Sequence, residues 1–458
     1  MKVRKLSLAN FRGFEQIDID FEEDVTVIAG VNGVGKSGIL RALTSALSLA
    51  LPKLTASNEV PLGLNETDVQ SGKPGLSVSV TLRLDAANVM IDLTRAAQLD
   101  ADQAESLLKR RDDLRFATRE TKKGSKEERV ISDEIRRIEM QLDHASDIAA
   151  VRILPVDAAA EVDEVVAVAK SSSVQPLAVL YTTSRFLSRL PPSLPKTKKL
   201  EPAMAYDKAL NQLEVSLNDF ANWYRVVSVE AVAETKKRLF QQLERAIKEF
   251  LPEVSNLILH EGRPPRFSVT KSGKTLFLEQ LSDGERGLLA LLFDLVRRLA
   301  IANPNSEDPI GEGVALVLID EVELHLHPSW QRRVLRLLQS VFSRCQFIVT
   351  THSPQVIGQV RPQKLKLLHF DASGRVVKAG AAQSFGMDSS WVLQNIMGVP
   401  ARDFETEQRL SDIYQAIDAD KLDDARALVA RLRAEVGDFP DLQEAMALLD
   451  RFALLRAE

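Results

Sequence analysis

The chain has 458 residues, 45% hydrophobic and 27% charged, with 21 Gly and 19 Pro, which excludes disordered, collagen-like and purely coiled-coil classes and predicts two to four folded units. Its 64 acidic and 59 basic residues leave a net charge of -5, so any nucleic-acid contact needs a local basic patch. One cysteine, Cys345, excludes an intramolecular disulfide and a multi-thiolate zinc site; with no signal-type segment and no apolar run near the roughly 20 residues of a membrane span, a cytoplasmic protein without a membrane partner is expected.

Apolar alternation over residues 2–8 and 17–28 predicts strands, and a glycine-rich stretch separates them from a helix over 38–51 carrying Ile39, Leu40, Leu43 and Leu47. Residues 78–84 and 89–93 read as an antiparallel strand pair with its turn at 85–88. Residues 98–146 turn to Glu, Lys, Arg, Asp and Gln around two apolar stripes, a short helical hairpin with its tip at Lys122-Lys-Gly-Ser-Lys126. An acidic loop (157–174), an apolar strand (Leu177–Tyr181) and a proline-punctuated linker (190–196) follow.

Helical spacing of Leu210, Leu213, Leu217 and Phe220, and of Leu239, Leu243 and Ile247, predicts a helical subdomain over 201–251. Short strands near 257–259 and 267–269 precede a second α/β half: helix 287–302, strand 314–319, helix 328–342 and strand 346–350. Two or three helices follow Phe404. The expected organisation is an N-terminal half-head (1–97), a hairpin insert (98–146), a loop, strand and linker (147–200), a helical subdomain (201–256), a C-terminal half-head (257–383) and a helical tail (384–458).

Gly30-Val-Asn-Gly-Val-Gly-Lys-Ser37 fits G-x-x-x-x-G-K-[ST] between a strand and a helix, the context that makes this motif a phosphate loop. Gly30, Asn32, Gly33 and Gly35 belong to the loop whose backbone N–H groups close on phosphates; the helix start adds its positive dipole end. Lys36 reaches the β and γ phosphates, and the Ser37 hydroxyl is placed to ligate Mg²⁺.

The apolar run Val314–Ile319 ends in Asp320-Glu321, as a buried parallel strand facing a nucleotide would. Asp320 is expected to hold the Mg²⁺ water shell, and Glu321 to take a proton from the attacking water. Leu281-Ser-Asp-Gly-Glu-Arg286 puts Ser282 and the Gly284 N–H at another helix start suited to an anion; taken alone it reads as a cap, and with the phosphate loop before it and Asp320 after it as a signature motif. His352 ends the next apolar strand, where a neutral imidazole can hydrogen-bond a γ-phosphate or simply be satisfied on a loop.

Taken together, Asn10-Phe-Arg-Gly-Phe14, the phosphate loop, the late Ser282 motif, Asp320-Glu321 and Thr351-His352-Ser353-Pro354 resemble the RecF/SMC-like branch of ATP-binding-cassette ATPases. That resemblance implies an α/β fold: an ABC-type P-loop head with a mixed sheet, a short helical-hairpin insert and a helical C-terminal tail. Within the branch, Tyr181-Thr-Thr-Ser-Arg185, Glu323-Leu-His-Leu-His-Pro328 and Ser384-Phe-Gly-Met-Asp388 resemble the ATPase subunit of the Septu anti-phage defence system.

By resemblance, Asn10 and Arg12 lie near the nucleotide, Gln70 is a Q-loop ligand of the metal, and residues 323–325 line a dimer interface. ATP and Mg²⁺ are then the cofactors, and the oligomer is a dimer sandwiching ATP between Lys36 of one copy and Ser282 of the other. No nuclease pattern occurs in the chain, so the resemblance also implies a separately encoded HNH-type nuclease as partner. The departures are Asp283 where transporter cassettes usually carry Gly, and Val322 where many relatives carry Pro; neither removes a phosphate contact.

The alternative is a RecF-like DNA-repair ATPase that binds DNA without a nuclease. Basic clusters at 109–111, 122–126, 136–137, 196–199 and 332–333 serve either as DNA contacts or as solvated faces. His325 and His327 lack a third metal ligand and read as an interface loop. Asp418, Asp420, Asp423 and Asp424 follow helical spacing and read as a turn between helices, not as a Toprim acidic cluster. The tail, with Trp391, Leu393, Ile396 and Met397, is read either as a cap or as a partner surface.

Overall fold

A computed structural model describes residues 1–84, 88–96, 101–120, 131–132, 134–135, 138, 150–155, 167, 175–211, 214–229, 234–380, 383–400 and 402–457. Its strands in chain order are β1 (Lys2–Phe11), β2 (Phe14–Asp20), β3 (Val25–Gly30), β4 (Gly75–Arg83), β5 (Asn88–Ala96), β6 (Ala150–Pro155), β7 (Leu177–Tyr181), β8 (Val254–His260), β9 (Arg266–Lys271), β10 (Lys274–Phe277), β11 (Ala315–Ile319), β12 (Gln346–Thr351), β13 (Leu365–Phe370) and β14 (Val376–Gly380). They form a five-stranded sheet β2-β1-β4-β5-β6, a three-stranded sheet β10-β9-β8, and a six-stranded sheet β14-β13-β3-β12-β11-β7.

The five-stranded sheet is antiparallel throughout. Val3 and Leu6 of β1 are both fully buried, although residues three apart point to opposite faces of a regular strand. The register shift between Val3 and Lys5 leaves Arg4 as an extra residue and returns Leu6 to the face of Val3, opposite Val80 as Val3 is opposite Leu82.

In the six-stranded sheet β13, β3, β12, β11 and β7 run parallel, with β14 antiparallel at the edge. Every residue of β11, Ala-Leu-Val-Leu-Ile, is fully buried, as befits a parallel strand covered on both faces. The parallel register brings the C-terminal ends of β3, β12, β11 and β7 to one edge, and the polar residues of the sequence motifs lie there.

Several boundaries differ from the sequence expectation. Residues 17–28 are not one element: the polar break Glu22-Glu-Asp24 ends β2 and starts β3, and these strands join different sheets. The helical reading of Leu210 to Phe220 fails at its start. Residues 206–210 are turns, Val215 bridges Leu187 and accepts from the Ser188 N–H, and the helix begins only at Leu217 and ends at Val229. The next helix, Glu234–Phe250, follows as expected. Residues 328–342 form two helices, Pro328–Gln331 and Val334–Val341, and β10, β13 and β14 were not anticipated. One hairpin arm is the helix Ala101–Glu120, with Arg110 paired to Glu134 of the other at 2.6 Å; the hairpin tip, the turn at 85–87 and nearly all of the acidic loop lie outside the described residues.

The chain divides into two compact units, Met1–Gly386 and Met387–Glu458. The second is helical: Ser389–Asn395, Phe404–Asp418, Leu422–Val436 and Pro440–Ala457. Its last three helices enclose Leu410, Ile413, Ala425, Val429, Leu432 and Leu442. Asp418 ends one helix, while Asp423 and Asp424 open the next and suit its positive N-terminus. Among the described residues no helix is long and apolar enough to cross a membrane.

Candidate active site

The glycine loop joins β3 to the helix Lys36–Leu54. A Cβ on Gly30 would stand 2.4 Å from the Leu368 carbonyl oxygen of β13, so the strands' close approach admits no side chain there. At Gly35 φ is 101°, and a Cβ would meet the buried Phe14 ring at 2.6 Å. The antiparallel sheet thereby sets the loop's position. Val31, Asn32, Gly33 and Ser37 are exposed, whereas Lys36 is 6% exposed. Its Nζ donates to the Gly30 and Val31 carbonyls at 2.9 Å each and stands 3.4 Å from His352 Nδ1. Burial lowers the amine's pKa to about 8, against the opposing pull of Asp320, Glu321 and Glu323.

Asp320 follows the last residue of β11, and its N–H donates to the Tyr181 carbonyl of β7 at 2.8 Å. One carboxylate oxygen accepts from Ser37 Oγ at 2.9 Å and the other from Thr350 Oγ1 at 2.5 Å. Thr350 Oγ1 in turn accepts the Glu321 N–H at 2.8 Å. Glu321 has φ 47°, a left-handed conformation that costs a non-glycine residue on the order of 1 kcal/mol. Two bonds from Arg185 hold this turn: its guanidinium donates to the carbonyls of Asp320 and Glu321 at 2.6 Å each.

His352 follows β12, and its N–H donates to Glu323 Oε1 at 2.6 Å. The second oxygen, Glu323 Oε2, is buried without a hydrogen-bond partner. Burial, then the Lys36 charge, lower the His352 pKa against the opposing pull of Glu323, Glu321 and Asp320. The neutral imidazole is therefore the form present near neutral pH.

Ser282 caps the helix Asp283–Ala302 through a capping box with Glu285, its Oγ donating to Oε2 at 2.8 Å, and Lys271 pairs with Glu285 at 2.6 Å. A Cβ on Gly284 would lie 2.5 Å from the His325 carbonyl oxygen, so this helix start rests on the backbone of the loop after Asp320-Glu321. The His325 ring lies 5.5 Å from that of Phe186, and His327 caps the next helix by accepting from the Ser329 N–H.

Asn10 and Arg12 have φ near 50° at the end of β1. Arg12 Nε pairs with the fully buried Asp68 at 2.8 Å, and its Cδ lies 3.7 Å from a Cβ built on Gly38. The Asn10 carbonyl accepts the Gln70 N–H at 2.9 Å; Gln70 Oε1 is buried without a partner.

Of the residues singled out from sequence, hydrogen bonds and close contacts join Gly30, Lys36, Ser37, Asp320 and His352. Asn10, Arg12 and Gln70 cluster at the hairpin end. Ser282 and Gly284 form a third group, which shares no hydrogen bond with Lys36 or Ser37 among the described residues. Thr350, Arg185 and Glu323 complete the first cluster without having been assigned a part in it. Thr350 precedes a motif residue in sequence, and Arg185 and Glu323 stand in strings read only for their family resemblance, Arg185 four residues beyond a strand end. A buried cation at a helix start, a hydroxyl paired to a carboxylate and a second carboxylate beside them suit a polyphosphate and its hydrolysis.

A family model described as an AAA domain matches residues 5–255, more than half of the chain, and a second AAA-domain model matches 178–358. The Retron Ec83 probable ATPase of Escherichia coli is 28% identical over 95% of this chain and 84% of its own length. The Septu protein PtuA of Bacillus thuringiensis is 24% identical over 37% of this chain and 48% of its own. Among solved structures, the SMC head domain from Thermotoga maritima aligns with 84% of this chain and all of its own at 15% identity and a TM-score of 0.41. The chain belongs to the AAA-domain family and is an ATP hydrolase of the P-loop class.

Proposed function

We propose that the protein is an Mg²⁺-dependent ATPase acting as a dimeric nucleotide switch in an anti-phage defence complex, where its nucleotide state restrains or releases a separately encoded HNH-type nuclease. Exposed loop N–H groups at Asn32 and Gly33 and the ammonium of Lys36 receive the phosphates. Ser37 Oγ and Asp320 form an oxygen pair that suits a divalent cation, and Gln70 Oε1, in the group at the end of β1, is a buried oxygen without a protein partner. Ser37, Asp320 and Gln70 would hold Mg²⁺, which supplies neutralisation of phosphate charge when bound. Glu321 accepts the proton of the attacking water, and neutral His352 donates to a γ-phosphate oxygen. Asn10 and Arg12 border the nucleotide.

The observation that carries the dimer is the separation of the two half-sites. The loop at 31–33 and Ser282 are both exposed, and Ser282 spends its bonds on Glu285. A second copy can therefore bring its Ser282 and Gly284 to the open face of the bound phosphates. Lys36→Ala and Ser282→Arg should each abolish turnover, and Ser282→Arg should retain nucleotide binding. Mixing the two inactive variants builds dimers with one intact composite site, so activity should return; a mixture that stays inactive overturns the sandwich.

Likeness to the Retron Ec83 ATPase and to Septu PtuA supports a place in defence. Coexpression with the adjacent gene product should copurify a nuclease. The reading fails if none copurifies and Lys36→Ala leaves phage resistance unaltered. Salt-sensitive DNA binding by the protein alone would favour the repair reading.

A further inference from the structure

We infer that Arg185 is a positioning residue for ATP hydrolysis: its guanidinium fixes the left-handed turn at Glu321 and so aims the Glu321 carboxylate at the attacking water. This rests on the reading of Glu321 as the base.

Arg185 is 8% exposed, yet among the described residues its guanidinium donates to neutral acceptors: the carbonyls of Asp320 and Glu321 at 2.6 Å and of Thr182 at 3.3 Å. A buried cation given mainly to main-chain acceptors is costly unless the geometry it enforces matters. Here the carbonyls belong to the two acidic residues after β11, and the second has φ 47°. Unheld, that peptide would relax toward the right-handed or extended regions and swing the carboxylate away. The planar fork spans two successive carbonyls at once, which a lysine ammonium does not reproduce.

Arg185 is itself braced. Tyr181, four residues earlier, donates its hydroxyl to Asp294 of the Ser282-capped helix at 3.1 Å, and its carbonyl accepts the Asp320 N–H. Phe186, the next residue, faces the His325 ring, whose backbone lies under Gly284. The segment 181–186 thus touches both the acidic turn and the helix that carries Ser282. A shift of that helix has a short route to the base, through the Tyr181–Asp294 hydrogen bond, the segment 181–185 and the Arg185 hydrogen bonds.

The test is a double-mutant cycle on the full chain, with Arg185→Lys and Arg185→Gln made alone and with Glu321→Gln. Arg185→Lys should lower kcat at least about tenfold while the Kd for a non-hydrolysable ATP analogue moves less than about threefold. In the Glu321→Gln background the same change should lower the residual rate less than about twofold, because the base it positions is gone. An equal proportional loss in both backgrounds, or a Kd that worsens as much as kcat falls, overturns the inference. Arg185→Gln, whose donors sit on a single nitrogen, should lose turnover as Arg185→Lys does, because neither restores the two-nitrogen fork; wild-type turnover in either variant also overturns the inference. If Glu321→Gln alone is fully active, the assignment of the base fails separately. A melting temperature equal to wild type in each Arg185 variant separates lost positioning from a folding defect.

Discussion

Two acidic centres border the end of β7, one reached by the Tyr181 hydroxyl and one beside its carbonyl, and are built in opposite ways. Asp294 is 1% exposed, and its oxygens accept from Arg297 at 2.8 Å, Arg298 at 2.7 Å and Tyr181 at 3.1 Å. Burial pushes its pKa up, but the two guanidiniums prevail and hold it below the usual carboxylate range. Glu321 is half-buried, and among the described residues its carboxylate makes no hydrogen bond; only its backbone is gripped. A fully satisfied charge fixes shape, whereas a carboxylate held only through its main chain stays available to water. The first centre is framework, and the second has the availability that the proposed base requires.

Removing Asp294 should break that contrast most strongly. Asp294→Ala leaves two buried guanidiniums without their carboxylate, and a loss of about 3–5 kcal/mol of stability is expected, read as a lowered melting temperature. A melting temperature equal to wild type would show the cluster to be dispensable. Glu321→Gln should do the reverse: stability stays, ATP binds, and hydrolysis slows at least about tenfold, about 1.4 kcal/mol of transition-state stabilisation. Unchanged turnover would move the base to His352.

A smaller effect sharpens the role of the buried amine. Lys36 titrates near 8 instead of 10.5; its free form is charged below that pH and increasingly neutral above it. If phosphate requires the ammonium, binding must recapture a proton, and nucleotide Kd should rise roughly fivefold from pH 8 to pH 9. Calorimetry in buffers of different ionisation enthalpy would detect the uptake; a flat Kd across that step would mean an amine charged throughout. For folding, the sign is that Lys36's burial cost is complete below about pH 8 and is relieved as pH rises toward 10.5, because the unfolded chain binds more protons in that window.

The sequence exposed those parts of the site that are local strings on adjacent parallel strands. Gly30 to Ser37, Asp320 and His352 could be placed together because β3, β12 and β11 are neighbours. Arg185 closes a string already noted for its resemblance, but its role was opaque because its partners are backbone carbonyls, which leave no residue-type signature. Leu210 misled because its sevenfold spacing to Leu217 is met by a buried turn, Leu210 being 7% exposed, not by a helix. β13 hid behind Lys364 and Lys366, which break the apolar run expected of a strand inside a parallel sheet.

The neighbours of β3 carry one more consequence, for the ribosome. Residues 25–30 emerge early, but both flanking strands, β12 and β13, come from residues 346–370. At roughly 5–20 residues per second, the roughly 340 residues from Gly30 to Leu368 take about 17–70 s to synthesise. For most of that interval, until β12 is made, the loop strand has two open edges, and until its end no carbonyl of Leu368 stands behind it. ATP capture is therefore a property the nascent chain acquires late, and truncated translation products should be both inactive and prone to aggregate.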